Sequence, residues 1–522
     1  MNIPSIFNDV IGPVMRGPSS SHSAAAVRIG RIARDVMGGG LTEVVTSFDL
    51  SGSLPTTYIS QGSDMGLCGG LLGFDAADER LIDYKRELQN AGLKVAYIMD
   101  NLGDQHPNTY NLALKNGREQ HSLVAISTGG GMIEVTRIDD LPISFFGDNY
   151  GLAVWTGAGR EGIREMLEGI GCKVTCGNTT GQSLIFATRP LPFQTDLLHQ
   201  IEAEYGVDHI RILLPVLPIL TAPEMSVPFS SAEEMMRVAG GDKSLADLAL
   251  RYEAARGNIA ESEVLARMLE IVEILENSVK TGLAGTEYGD RILGYQSGKY
   301  QRAHEEKKLL GLGVLDRVIP YVTALMEAKS AMGVIIAAPT AGSCGGLPGT
   351  VLGVADELQL SQEEKARGLL AAGLIGALIA TRSTFSAEIC GCQAECGVSS
   401  GMTAAAMVTM LGGTALTAMG AASMALQNVF GMVCDPVAGR VEVPCLGKNI
   451  LAASNGVSCA NLALAGFDQV IPFDETVAAM DNVGRALPHE LRCTARGGLS
   501  LTPTSKRIEQ ALASNACLSE PE

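Results

Sequence analysis

From Cys396 to Cys434 the chain carries no Asp, Glu, Lys or Arg. An uncharged run of that length either crosses a membrane or lies buried on every side inside a folded domain. Its side chains decide between the two. They are mostly Ala, Gly, Ser, Thr and Met, with few Leu, Ile or Phe, and no Trp belt or flanking Lys/Arg anchors mark a membrane interface. Small side chains let helices approach closely, so the run is read as helices buried within a soluble domain. The rest of the composition agrees. Gly contributes 61 of 522 residues, aromatics only 5%, and there is a single Trp, so the core has to be built from small and aliphatic groups in close contact. With 46% apolar and 18% charged residues the chain is too apolar for disorder, and its length allows about three domains. Lys and Arg number 39 against 57 Asp and Glu, a net charge of −18, which excludes a protein that tracks a nucleic-acid backbone.

The order of patterns along the chain predicts a multidomain protein. Residues 1–148 mix a helical pattern at Ser23–Gly38 with strand-like runs at Leu93–Met99 and Ser122–Ser127, an N-terminal α+β domain. Residues 149–225 read β-α-β-β-α-β, with strands at Leu152–Trp155, Lys173–Cys176, Leu184–Thr188 and His209–Leu214, and helices at Arg160–Gly169 and Phe193–Tyr205. That is the ferredoxin-type order, and it resembles an ACT domain, a fold often used to bind amino-acid effectors. Pro215, Pro218, Pro223 and Pro228 mark a linker. Helical periodicity then dominates residues 226–522, with amphipathic runs at Ser244–Arg256 and Ala260–Ser278 and a capping box at Ser361-Gln362-Glu363-Glu364. A mostly all-α C-terminal catalytic domain is expected.

The 12 cysteines are unevenly placed: Cys68, Cys172 and Cys176 precede residue 340, and the others follow it. The start, MNIPSIFNDV, has neither a basic n-region nor an apolar run, which predicts no signal peptide and a cytoplasmic protein. Clustered cysteines there read as metal ligands or reactive thiols rather than a disulfide framework. One cluster is Ala387-Glu388-Ile389-Cys390-Gly391-Cys392-Gln393-Ala394-Glu395-Cys396, and the other is Cys434-Asp435-Pro436 with Val443-Pro444-Cys445. The spacing is not that of a zinc ribbon. Three remote thiolates suit a [4Fe–4S] cluster that leaves one iron without a protein ligand, an open Lewis acid. Buried thiols or a regulatory redox pair remain alternative readings of the same spacing.

Several motifs occur together in one order. They are Gly17-Pro18-Ser19-Ser20-Ser21-His22, His106-Pro107-Asn108-Thr109, Ala338-Pro339-Thr340-Ala341-Gly342-Ser343-Cys344-Gly345, Gly391-Cys392-Gln393, Cys434-Asp435-Pro436-Val437, Val443-Pro444-Cys445 and Arg496-Gly497-Gly498-Leu499. On these motifs the chain resembles, over nearly its whole length, the iron–sulfur-dependent L-serine dehydratases (L-serine ammonia-lyases), with the β and α portions fused. The resemblance implies Cys392, Cys434 and Cys445 as ligands of a [4Fe–4S] cluster held by a helical domain. It also implies that the first domain is similar to the allosteric substrate-binding domain of some phosphoglycerate dehydrogenases. The implied reaction converts L-serine to pyruvate and ammonia. The implied partners are a small amino-acid substrate, an amino-acid effector at the ACT-like unit and a second copy of the chain in a homodimer, with no nucleic acid and no membrane.

Dehydrating serine needs a Lewis acid for the hydroxyl and a base for the α-proton. His22 and His106 are the candidate bases. Ser19, Ser20, Ser21, Asn108, Thr109, Thr340 and Ser343 are candidate substrate contacts through hydroxyl, amide and backbone N–H groups. Two departures from the family bear on this. Many members carry Gly-His-Gly-Thr-Asp where this chain reads Ser60-Gln61-Gly62-Ser63-Asp64, and some end in a Cys that reaches the open iron, whereas Cys517 here is followed by further residues. Elimination from threonine or cysteine and a non-catalytic iron–sulfur or amino-acid sensor are the alternatives. A pyridoxal-phosphate enzyme is disfavoured, because no Ser-x-Lys precedes the glycine run Thr128-Gly129-Gly130-Gly131.

Overall fold

A computed structural model describes residues 3–179, 182–221 and 226–518. Its first part is a six-stranded sheet formed by β1 (Glu43–Asp49), β2 (Lys94–Asp100), β3 (Thr109–Lys115), β4 (Gln120–Gly129), β5 (Met132–Ile138) and β6 (Leu141–Phe145) in the order β2-β1-β3-β4-β5-β6. β1 and β2 run parallel and the other neighbours antiparallel. Along β3 and β4 buried and half-buried residues alternate, as a sheet covered on one face requires. The cover is α1 (Ala25–Val36) and α2 (Ser63–Leu71), with Ile29, Ile32 and Ala33 packed into the same core as Leu112, Leu123 and Ile133. The expected helix at Ser23–Gly38 is α1, preceded by one wide helical turn over Ser20–Ala24.

The next strands, β7 (Tyr150–Thr156), β8 (Lys173–Thr179), β9 (Gln182–Arg189) and β10 (His209–Leu213), form an antiparallel sheet in the order β10-β7-β9-β8. Helices α3 (Arg160–Gly169) and α4 (Thr195–Tyr205) complete a β-α-β-β-α-β chain order, and Ile163, Leu167 and Ile201 pack on the buried residues of β7 and β9. Thr180 and Gly181 in the expected turn, and Pro223 in the expected linker, lie outside the described residues.

The remainder is predominantly helical. Its core helices include α5 (Leu245–Gly257), α6 (Glu261–Ala284), α7 (Leu315–Ser330), α8 (Gly346–Leu358), α9 (Gln362–Ala380), α10 (Cys396–Met410), α11 (Ala415–Gln427), α12 (Cys445–Leu464) and α13 (Phe473–Ala486). The uncharged run forms α10, buried almost throughout, and α11, buried over most of its length with Leu416 exposed. No helix among the described residues is long and apolar enough to cross a membrane. Ser361 caps α9 through the expected box, its hydroxyl accepting from Glu364 N at 3.3 Å while Glu364 Oε2 accepts from Ser361 N at 2.6 Å.

The two halves interlock. Ile6 and Val10 pack over Gly373 and Gly376 of α9, where a Cβ at either glycine would collide with them. Buried Glu253 on α5 accepts from Ser5 Oγ and, at 2.7 Å, from Ile6 N. Val14–Met15 forms a two-residue antiparallel ladder with Ile335–Ile336. These ties set the Ser19–His22 turn against the cysteine-bearing loops.

Candidate active site

Three thiols named by the sequence come from separate elements. Cys392 begins a single tight turn after Gly391, whose φ of +69° favours glycine. A Cβ on Gly391 would also come within 2.8 Å of the Met432 carbonyl, so the two cysteine loops cross in close contact. Gln393 locks that crossing, donating to Met480 O at 2.5 Å and accepting from Gly431 N at 2.8 Å. Cys434 lies in a short bridge with Arg492, and Cys445 opens α12. All three are buried, as are Cys396, which hydrogen-bonds with Cys392, and Cys493, which does so with Cys434.

Their protonation differs. The hydrogen bond from Cys396 outweighs burial and, with the Lys448 ammonium, brings the Cys392 thiol down to about 7. The hydrogen bond with Cys493 and burial push Cys434 up, and burial pushes Cys445 up. A bound cation would reverse this by deprotonating its ligands outright. Among the described residues no group of three His, Cys, Asp or Glu is placed to hold a single metal ion. One ion needs its donors about 2 Å from a common point, whereas ligand sulfurs stand around the outside of a multi-iron cluster. Buried soft donors on three loops, with a lysine to offset their charge, have the chemistry such a cluster needs.

A small cavity, with room for about one water molecule, lies against two of the three thiols, Cys434 and Cys445. The helical half lines it with Cys434, Cys445, Cys493, Glu388 and Glu395, and the first domain with Ser19, Ser21 and Gln61. Gln61 Nε2 reaches Cys493 Sγ at 3.4 Å, so the position where the resembled family carries a histidine opens onto the cavity. Burial pushes the Glu395 carboxyl up to about 8, and it accepts from Thr340 Oγ1 at 2.7 Å.

His22 is fully buried just behind Ser19 and Ser21. Its Nδ1 lies 3.0 Å from Ser19 Oγ, 3.3 Å from Ser21 Oγ and 3.7 Å from Glu388 Oε1. Its Nε2 lies 3.0 Å from Thr57 Oγ1. Burial pulls the imidazole below its usual range, opposed by Glu388. Burial works against the Glu388 carboxylate, but His22 and the hydroxyls of Ser386 and Ser21 outweigh it and hold that group below the ordinary carboxyl value.

The other sequence candidates fall around this centre. Ser20 Oγ accepts from Ala341 N at 3.2 Å, and Ser127 Oγ donates to Ser21 O at 2.7 Å, so both clamp the serine turn. Ser343 Oγ donates to Ala338 O at 3.0 Å and accepts from Thr340 N at 3.2 Å, which spends it on its own turn. His106, drawn downward by burial, accepts at Nδ1 from Asn108 N at 3.2 Å, and its carbonyl accepts from Thr109 Oγ1 at 2.8 Å. Asn108 is buried with Oδ1 accepting from Ser53 Oγ and with Nδ2 lacking a hydrogen-bond partner among the described residues.

Sequence reasoning did not single out Glu388, Glu395, Thr57 or Cys493, and it marked Gln61 only as a departure from the family's motif. The two glutamates stand inside a quoted cysteine motif, which was the available signal; Thr57 and Cys493 had none.

Residues 232–500 match the family described as serine dehydratase alpha chain. The chain is 37% identical over 286 residues to the probable L-serine dehydratase alpha chain of Bacillus subtilis, covering 54% of this chain and 95% of that protein. It is 36% identical over 267 residues to the L-serine dehydratase alpha chain of Peptoniphilus asaccharolyticus, covering 51% and 91%. A probable alpha chain from Latilactobacillus sakei is 44% identical over 189 residues, covering 36% and 90%.

Proposed function

The chain belongs to the serine dehydratase alpha-chain family, and from that premise we propose that it is an L-serine ammonia-lyase releasing pyruvate and ammonia. The observation that carries the reading is one cavity with buried thiols on one wall and Ser19 and Ser21, backed by His22, on the other.

Cys392, Cys434 and Cys445 would hold a [4Fe–4S] cluster, which when bound supplies a Lewis acid for the substrate hydroxyl. Lys448, donating to Asp435 Oδ1 at 3.1 Å and to Val433 O at 2.6 Å, offsets the charge of the thiolates. His22, behind Ser19 and Ser21, is the base that drives the elimination. The neutral His106 carries its proton on Nε2, because Nδ1 is occupied by the Asn108 amide, and so acts as a donor. The free Nδ2 of Asn108 donates to the substrate carboxylate. Closing the cavity between two halves of the chain excludes water while the aminoacrylate forms; its hydrolysis then needs no protein group.

The three-unit division at 148 and 225 and an ACT-like identity for residues 149–225 are part of the same proposal, supported by the β-α-β-β-α-β order. Anaerobic purification with iron and sulfide analysis, followed by pyruvate or 2-oxobutyrate release from L-serine, L-threonine and L-cysteine, tests the reading. The expected result is a brown protein that prefers serine; a metal-free chain with full activity overturns it.

A further inference from the structure

His22, the expected base, does not line the cavity, whereas Ser19 does. A base must come within hydrogen-bond reach of the proton it removes, directly or through one relay. Hydrogen-bond accounting around His22 identifies the relay. Thr57 Oγ1 has one proton, and it goes to Ser53 O at 2.7 Å. The 3.0 Å contact between Thr57 Oγ1 and His22 Nε2 therefore has the imidazole as donor. The neutral ring is fixed with its proton on Nε2 and its lone pair on Nδ1. Ser21 Oγ donates to Glu388 Oε1 at 3.2 Å, so its proton is engaged. Ser19 Oγ, nearer to Nδ1 at 3.0 Å than to Ser21 Oγ at 3.3 Å, is the donor to Nδ1 and faces the cavity.

We propose that Ser19 is the catalytic residue that takes the substrate α-proton, with His22 behind it as proton acceptor and with Thr57 and Glu388 as positioning residues. The Cα–H bond breaks as its proton bonds to Ser19 Oγ, while the Ser19 hydroxyl proton moves to His22 Nδ1. The electron pair of the Cα–H bond becomes the Cα=Cβ bond, and the β-hydroxyl leaves with the pair of the Cβ–O bond. The proton held on His22 returns through Ser19 to that hydroxide, so water and aminoacrylate form with no other reactant. Glu388 Oε1, 3.7 Å from Nδ1, faces the positive charge that His22 carries in between. This rests on the lyase reading and adds the identity of the group that touches the substrate.

The test compares wild type with Ser19→Ala, Ser19→Thr, Thr57→Val and Thr57→Ser. For each, kcat, KM for L-serine, the isotope effect with α-deuterated serine and iron content are measured. Ser19→Ala is expected to lower kcat about 100-fold or more, with KM within a few-fold, a larger isotope effect and unchanged iron. Ser19→Thr restores part of kcat. Thr57→Val, which cannot accept from Nε2, lowers kcat without raising KM, and Thr57→Ser restores it. Ser19→Ala that raises KM at unchanged kcat, or Thr57→Val with wild-type kcat, overturns the inference. A wild-type chain that releases no product overturns the lyase reading and this inference together, whereas an active wild type with indifferent variants overturns this inference alone.

Discussion

The amide nitrogen of Cys493 donates to the carbonyl of Cys434 at 2.9 Å, which draws a further buried thiol up to the cavity that Cys434 and Cys445 also line. Proximity and ligation are separable. Replacing Cys392, Cys434 or Cys445 with Ala is expected to abolish iron binding. Cys493→Ala is expected to retain iron, and so is Cys68→Ala, whose thiol sits 3.5 Å from Tyr97 Oη in the first domain. Iron and sulfide per chain after anaerobic purification decide this, and retained iron in any of the first three variants refutes the ligand set.

Lys448 is a cation facing these thiols, with Lys329 a second one beside Cys445, and it is tied to Asp435, whose other oxygen accepts from Leu499 N at 3.0 Å. Lys448→Met removes the ammonium without shortening the side chain. Groups that support metal ligands are typically worth about 10–100-fold in affinity, so iron loss to a chelator is expected to be faster by that order, with the melting temperature of the apo-protein little changed.

Glu388 raises the proton affinity of His22, against the downward pull of burial. In Glu388→Gln that support is gone, and His22 gives up its proton at lower pH. The acid limb of the kcat profile is therefore expected to move to lower pH, with lower kcat on the plateau. The other titratable groups facing the pair are His106, Tyr110 and Glu395, and the substitution leaves them in place. An unmoved limb with reduced kcat would make Glu388 a packing residue only.

What the sequence revealed and what it hid follow the range of the interactions. Arg160–Gly169, Ser361 with Glu364, and the alternation of β4 are written in patterns of a few residues, and the structure has each of them. The buried uncharged run was legible because a long stretch with no charged side chain has no solvent-facing stripe. Thr57 and His22, by contrast, are neighbours through the packing of separate segments, and Glu388 meets His22 across the two halves of the chain. Nothing periodic marks such pairs. Gln61 was visible only as a departure from the motif of the resembled family, and its place beside Cys493 comes from the packing of distant segments.

The serine turn depends on how closely α2 packs on α1. At Gly66 a Cβ would be driven into the Ser23 carbonyl oxygen, next to His22. Backbone cannot yield there as a flexible side chain would. Gly66→Ala is expected to cost about 1–3 kcal/mol by overpacking and to reduce kcat by displacing Ser19–His22. Thermal melting and kinetics on the same preparation check it, and wild-type values for both would contradict the close approach.

Asp64 gives a pH signature away from the thiols. Burial pushes its carboxyl up to about 6, although Tyr84 Oη donates to Oδ2 at 2.7 Å and works the other way. An unfolded Asp titrates near 3.9, so the folded chain holds this proton more tightly. The resulting stabilisation is full below about pH 4 and is lost as pH rises through 6. Asp64→Asn stays neutral throughout and keeps an acceptor for Tyr84. Its stability relative to wild type is therefore expected to increase between pH 5 and 7, toward a gain of order 2–3 kcal/mol. Melting temperatures of both proteins measured across that window check the sign: a gap that stays constant as pH rises would mean that Asp64 titrates in the folded chain at a normal pKa.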